Sequence, residues 1–299
     1  MIGDLHVHGH CTIGDRLSYE SDIAPDLAIP YCCTELKMGF TTLIGNIGQR
    51  KGVKYSPLAD YHEGKKFLDR FSHKFPGFVL VPAIEVETSI GHMNILGIEQ
   101  EPDPSMSFEE LLEWIRDNNG LSVAVHPFDA RGDGIGKNAS KTDCIEVFNS
   151  INIDRISNLM AQMFAEKHNL TGIAVSDGHT YPDSIGLGTI KVHARPTVEG
   201  ILESIRKREF EIASMRYLDQ PKYIEWVWLR LKNSREDALS YVRNKPGLNA
   251  LLPLARYLCD SFLEDPNKEI WKAIFGATLR YYKLRNGIRY MGYKAAHVI

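Results

Sequence analysis

Two histidines stand one residue apart near the start of the chain, His6 and His8 in DLHVH. On an extended strand residues i and i+2 share a face, so this pair directs two imidazoles at one point, as a divalent cation requires. Side chains of the same metal-binding types recur downstream. Glu85 ends VLVPAIE, with Glu87 on the same face as its competitor; His92 lies in GHMNILG; His126 ends SVAVH; Asp177 and His179 in SDGH repeat the alternate spacing of the first pair. A carboxylate such as Glu85 at the end of an apolar run is costly to bury unless a cation or metal pairs with it. Each residue alone has an ordinary explanation, such as a strand histidine, a turn at Gly91 or a strand end before Pro127. Their joint placement points to a shared centre. Mixed imidazole and carboxylate ligation suits zinc, manganese or iron better than calcium.

The elements that must position these residues are legible in the pattern. Runs rich in β-branched residues at 2–7, 41–46, 78–86, 93–98, 121–125, 143–148 and 172–176 predict strands. Amphipathic stretches at 61–73, 108–118, 154–168 and 198–208 predict helices, the second opened by a capping box of Ser107 and Glu110 and stopped by Gly120. Strands alternating with helices imply an α/β fold with a largely parallel sheet, open or closed into a barrel. In either form functional groups gather at the strand carboxyl ends, where these histidines and carboxylates fall.

The composition, 299 residues with 43% hydrophobic and 24% charged side chains, excludes collagenous, low-complexity and disordered classes. The net charge of -3 conceals an asymmetry. Residues 216–299 carry 15 basic and 8 acidic side chains, and no acidic one follows Glu269. The chain therefore divides into a unit at 1–215 and a helical, basic, aromatic-rich region at 216–299. Within the latter, RYYKLRNGIRYMGYK interleaves cations and rings, which fits polyanion contact of the single-strand nucleic-acid kind or a helix packed on the rest of the chain. Five cysteines without a CxxC pair argue against a disulfide framework. No leader-like segment and no apolar run of membrane-spanning length is present, so the expected location is the cytoplasm.

In order, DLHVH at 4–8, AIE at 83–85, GHMNILG at 91–97, AVHPF at 124–128, IEVFN at 145–149 and SDGH at 176–179 resemble the motifs of the PHP (polymerase and histidinol phosphatase) superfamily over residues 1–213. The resemblance implies a distorted seven-stranded β/α barrel holding two to three divalent ions. It implies that His6, His8, Glu85 and Asp177 hold one ion, with Glu85 bridging to a second bound by His92 and His126. A third would take His179 and an aspartate after the first motif, Asp15 or, failing that, Asp22. The sequence departs from the family at TTLIGNIGQ, residues 41–49, where a TDH-like motif normally supplies a histidine and Asn46 is the nearest polar residue. Glu146 in IEVFN is read as structural.

The implied activity is phosphoester hydrolysis by a metal-bridging hydroxide, with Glu85 and His179 as catalytic residues, and His179 or a metal-bound water protonating the leaving oxygen. The substrate class is a phosphorylated small molecule or an oligonucleotide. Arg131, Lys137 and Arg195 are candidate phosphate contacts. A metal-dependent amidohydrolase and a catalytically inactive metal-binding module are the competing readings.

Overall fold

The structure, a computed structural model, describes residues 1–9, 11–13, 16–18, 24–47, 56–245 and 247–299. The strands are β1 (Ile2–Asp4), β2 (Cys11–Ile13), β3 (Arg16–Ser18), β4 (Phe40–Thr42), β5 (Gly45–Ile47), β6 (Val79–Val81), β7 (Ala83–Thr88), β8 (Gly91–Leu96), β9 (Leu121–Ala124), β10 (Cys144–Asn149), β11 (Thr171–Val175), β12 (Gly188–Val192) and β13 (Phe210–Met215). The helices are α1 (Pro25–Thr34), α2 (Ala59–Phe71), α3 (Phe108–Asp117), α4 (Ile156–Lys167), α5 (Val198–Arg206), α6 (Gln220–Asn244), α7 (Leu252–Glu264) and α8 (Glu269–Ala295).

The fold is α/β, with two principal sheets. One has five strands in the order β13-β12-β1-β4-β6; the other has six, β11-β10-β9-β8-β7-β5. Three expected strands break where the chain passes between sheets. Leu43 and Ile44 separate β4 from β5, and Pro82, which has no N–H to continue a ladder, separates β6 from β7. β1 stops at Asp4, whose buried carboxylate accepts the N–H groups of His6 (3.3 Å), Ser176 (3.1 Å) and Gly186 (3.0 Å). Beyond it the chain stitches the sheets together. Val7 bridges Gly178 and His8 bridges Ile44, with His8 N–H donating to Gly178 O at 2.8 Å and Ile44 N–H to Val7 O at 2.7 Å.

Two cores flank this seam. Leu5, Phe40, Val81, Val123, Val175 and Ile190 fill the space between the sheets, closed by Ile201 of α5. β1 can cross Phe40 only because residue 3 is glycine, since a Cβ there would lie 2.3 Å from the ring. On the other side, Ile84, Met93 and Ile145 pack against Phe108 of α3 and Phe164 of α4. The predicted capping box of α3 forms in both directions, Ser107 N–H to Glu110 at 2.7 Å and Glu110 N–H to Ser107 Oγ at 3.3 Å. α4 begins two residues later than the pattern suggested, because Arg155 at its N-cap has a left-handed backbone (φ 66°), while Asp154 before it accepts Ser157 N–H at 2.9 Å.

The region after β13 is helical and packs on the strand-end loops. Leu218 N–H donates to Ser150 O at 3.0 Å, leading into α6. On α8, the fully buried Asn286 donates to Phe128 O (3.3 Å) and Ser157 Oγ (2.9 Å), and Arg289 donates to Asp129 O (2.8 Å). Arg285 donates to Ala130 O, and the Tyr293 ring meets Phe128 at 5.8 Å. Part of the basic and aromatic text is therefore committed to intramolecular packing. Among the described residues no helix is long and apolar enough to cross a membrane.

Candidate metal centre

The strand ends bring seven of the predicted ligands into one buried cluster. Their atoms form three groups, each within 4.8 Å: His6, His8 and Glu85; His8, Asp177 and His179; Glu85, His92 and His126. His8 and Glu85 each belong to two groups. The Nε2 atoms of His6 and His8 lie 3.0 Å apart, and 3.4 and 3.3 Å from Asp177 Oδ1. Glu85 Oε2 is 3.5 Å from His8 Nε2, while its Oε1 faces His92 Nδ1 at 3.2 Å and His126 Nε2 at 3.9 Å. Separations near 3.0 to 3.5 Å are the edges of a coordination shell with bonds of about 2.0–2.2 Å, so the donor set fits divalent ions. His126 Nδ1 is in addition a buried nitrogen without a hydrogen-bond partner.

Glu146, read as structural from the sequence, holds this array in place. Its Oε1 meets His6 Nδ1 at 2.6 Å; its Oε2 accepts His126 N–H at 2.8 Å and the Asn149 amide at 2.9 Å. Donating Nδ1–H to a carboxylate leaves the His6 Nε2 lone pair facing the cluster, the arrangement a ligating imidazole needs. Asn149 also donates to Asp177 Oδ2 at 3.0 Å, so β10 supports ligands on three neighbouring segments. No short-range spacing signals this role, because Glu146 and His6 lie 140 residues apart in sequence.

The electrostatics show what the cluster demands. Burial disfavours a charged His6, yet Asp177 and Glu146 outweigh it and push His6 up to about 10. His92 is raised to about 9, Glu85 overcoming its burial. The converging imidazoles hold the buried carboxyls of Glu85 and Asp177 well below their usual range. Burial and the charge of His8 push His179 well below the ordinary imidazole value, while its Nδ1 contacts Asp177 O at 2.8 Å. Protons on His6 and His92 thus occupy the electrostatic role that cations would take over.

The remaining candidates are placed differently. Asp15 and Asp22 lie outside the described residues. Glu87, the competitor of Glu85, is exposed. Arg131 is bound through Nε to Asp129 Oδ2 (2.8 Å), 3.4 Å from Asp133, and its charge opposes protonation of His92. Lys137 and Arg195 are exposed. Position 46 of β5 is in register with Glu85 of β7. α6 supplies a neighbour that the motif reading did not include: Trp226, buried, with its ring 5.0 Å from that of His179 and its Nε1 without a partner. Arg230, one turn on, lies with its guanidinium 5.8 Å from the Trp226 ring centre.

The family model described as PHP-associated matches residues 155–210. An uncharacterized protein of Methanocaldococcus jannaschii is 27% identical over 123 residues, covering 38% of this chain and 69% of that protein. A solved two-domain protein of Bacteroides vulgatus, containing a predicted PHP-like metal-dependent phosphoesterase, superposes with a TM-score of 0.53 at 15% identity over 72% of this chain. The chain spans 65% of that protein's length. A Bifidobacterium adolescentis structure assigned to the metal-dependent phosphoesterases has a TM-score of 0.42 at 12% identity, covering 62% of this chain and 90% of its own, too distant to weigh.

Proposed function

We propose that the chain is a PHP-superfamily protein and a metal-dependent phosphoesterase acting on a phosphorylated small molecule or an oligonucleotide. The observation that carries this reading is the sharing of His8 and Glu85 between adjacent ligand groups, which supports two or three closely spaced divalent ions of the zinc, manganese or iron type. We read the two sheets as an opened β/α barrel stitched at Val7 and His8, with residues 1–215 as the metal-binding unit and 216–299 as a helical region closing one side of it.

When bound, such ions acidify water and neutralise charge on the phosphoryl group. The chain's own residues do the rest. Glu146 fixes the His6 ring, and Asn149 fixes Asp177. Leu5, Val7 and the two cores exclude bulk water from behind the ligands. His179 is held neutral, and Nδ1 against Asp177 O carries its hydrogen, which leaves Nε2 with the lone pair a ligating imidazole needs. Trp226 lies against the His179 ring, and Arg131, whose charge acts on His92, and Arg230, whose charge acts on His179, are the cations we assign to a substrate phosphate.

The test is phosphate release by manganese- and zinc-reconstituted protein on phosphomonoesters and on a 5'-phosphorylated oligonucleotide, with His8→Ala alongside. We expect turnover in the wild type, and loss of turnover with at least one metal equivalent in the variant, because His8 serves two groups. Bound metal without turnover on either substrate would favour the amidohydrolase or inactive-module readings.

A further inference from the structure

Helix α8 carries three distinct faces, of which the described residues cover mainly one. At about 100° per residue, Trp271, Phe275, Tyr282, Asn286 and Tyr293 fall on one side and pack on the rest of the protein. A second face collects Lys272, Arg280, Lys283 and Lys294. The third holds Ile270, Ile274, Tyr281, Leu284, Ile288 and Met291, with Ala277 between, and the six large side chains are 40 to 65% exposed. No charged residue lies within this stripe. Its spacing is 4, 3, 4, 3, 4 and 3 residues from Ile270 to Met291.

That alternation is the a/d spacing of a coiled coil carried through three heptads, a repeat that supercoiling keeps turned towards a partner helix. We propose that the α8 stripe is the interface of a symmetric homodimer, with α8 of a second copy seated on it. A two-fold interface requires a self-complementary patch, and two seams of one kind, with alanines and glycine alternating with large side chains, interdigitate as knobs and holes. The exposed area of the six large side chains is roughly 600–700 Å² per copy, close to the roughly 800 Å² per partner of a standard stable interface before flanking side chains are added. A lipid surface fits less well. Lys272, Arg280, Lys283 and Lys294 border the stripe on one side, while Arg285 and Arg289 on the other are tied to Ala130 O and Asp129 O, whereas a surface-seeking helix sets its apolar stripe between solvated polar flanks.

The experiment is sedimentation velocity on the full chain from about 1 to about 100 µM, a span that brackets micromolar self-association. Wild type and Lys283→Glu, altered on the basic face, should sediment as dimers. Leu284→Glu combined with Ile288→Lys should be monomeric, with helical content and bound metal unchanged, because both positions are exposed in the single chain. A monomeric wild type overturns the proposal, as does a double variant that stays dimeric. Co-sedimentation of a monomeric wild type with phosphatidylserine vesicles, lost in the double variant, would overturn it in favour of a membrane surface.

Discussion

Replacing Glu146 by glutamine changes one atom's identity and removes one charge, and the surrounding bonds dictate a large effect on metal affinity. Three donors converge on this carboxylate: His6 Nδ1–H, His126 N–H and the Asn149 amide. Glutamine offers one acceptor oxygen and one donor NH2. If its oxygen serves His126 and Asn149, the NH2 faces His6 and forces the tautomer with Nε2–H, which takes the ligand lone pair from the cluster. If its oxygen serves His6, the NH2 confronts two donors, each left unsatisfied in the interior at about 1–3 kcal/mol. Either outcome weakens metal binding by about 10–100-fold, or about 1.4–2.7 kcal/mol. Competition against a chelator of known affinity, with metal content measured after dialysis, reads this directly, and phosphate release should fall in parallel. A Glu146→Gln protein that holds metal as tightly as the wild type, within a factor of about three, would refute the claim that Glu146 sets the His6 ring.

Three further outcomes are expected. His6 and His92 are raised to about 10 and about 9, so in metal-free protein the stability they contribute is complete below the ordinary imidazole value of 6.5 and is lost as pH climbs through 9 to 10. Thermal unfolding of the chelated protein should shift down over that window, and metal uptake at neutral pH should release protons, seen as calorimetric heats that change with the buffer's ionisation enthalpy; buffer-independent heats would contradict this. Gly3→Ala places a methyl against the Phe40 ring and should cost about 1–3 kcal/mol in urea unfolding; an unchanged midpoint would show that the ring yields freely. Asn286→Leu strips donors from Phe128 O and Ser157 Oγ and should cost about 2–4 kcal/mol, with faster amide exchange along α8 than in the wild type.

Much of the ligand set was readable because strand periodicity and strand-end placement are local. Apolar runs located all seven expected strands, and the alternate spacing of His6 with His8 and of Asp177 with His179 told which side chains share a face. What escaped depended on partners distant in sequence. The breaks at Leu43 and Pro82 come from the chain changing sheets, which a run such as VLVPAIE records only as an isolated proline. α1 was missed because Pro30 interrupts a segment with little amphipathic pattern, although Pro25 at its first turn is a start signal. Glu146 resembled an ordinary buried strand residue until His6 was seen beside it. Trp226 belongs to a helix outside every motif, and only its docking against the strand-end loops carries it to His179.

The stitch formed by residues 6–8 also bears on the order in which the protein assembles. Val7 and His8 rest on Ile44 and Gly178, and the ligands around them reach from residue 6 to residue 179. Two of the three ligand groups draw on residues 6–8, and one of these also on Asp177 and His179 beyond β11, so their closure belongs to the late, long-range part of folding, when most loop entropy has already been lost. An ion captured there acts as a clasp, holding shut the last seam to close and the first to open. Fraying of this short segment would unlink Ile44 from Gly178 and break the two ligand groups that contain His6 or His8 in one event.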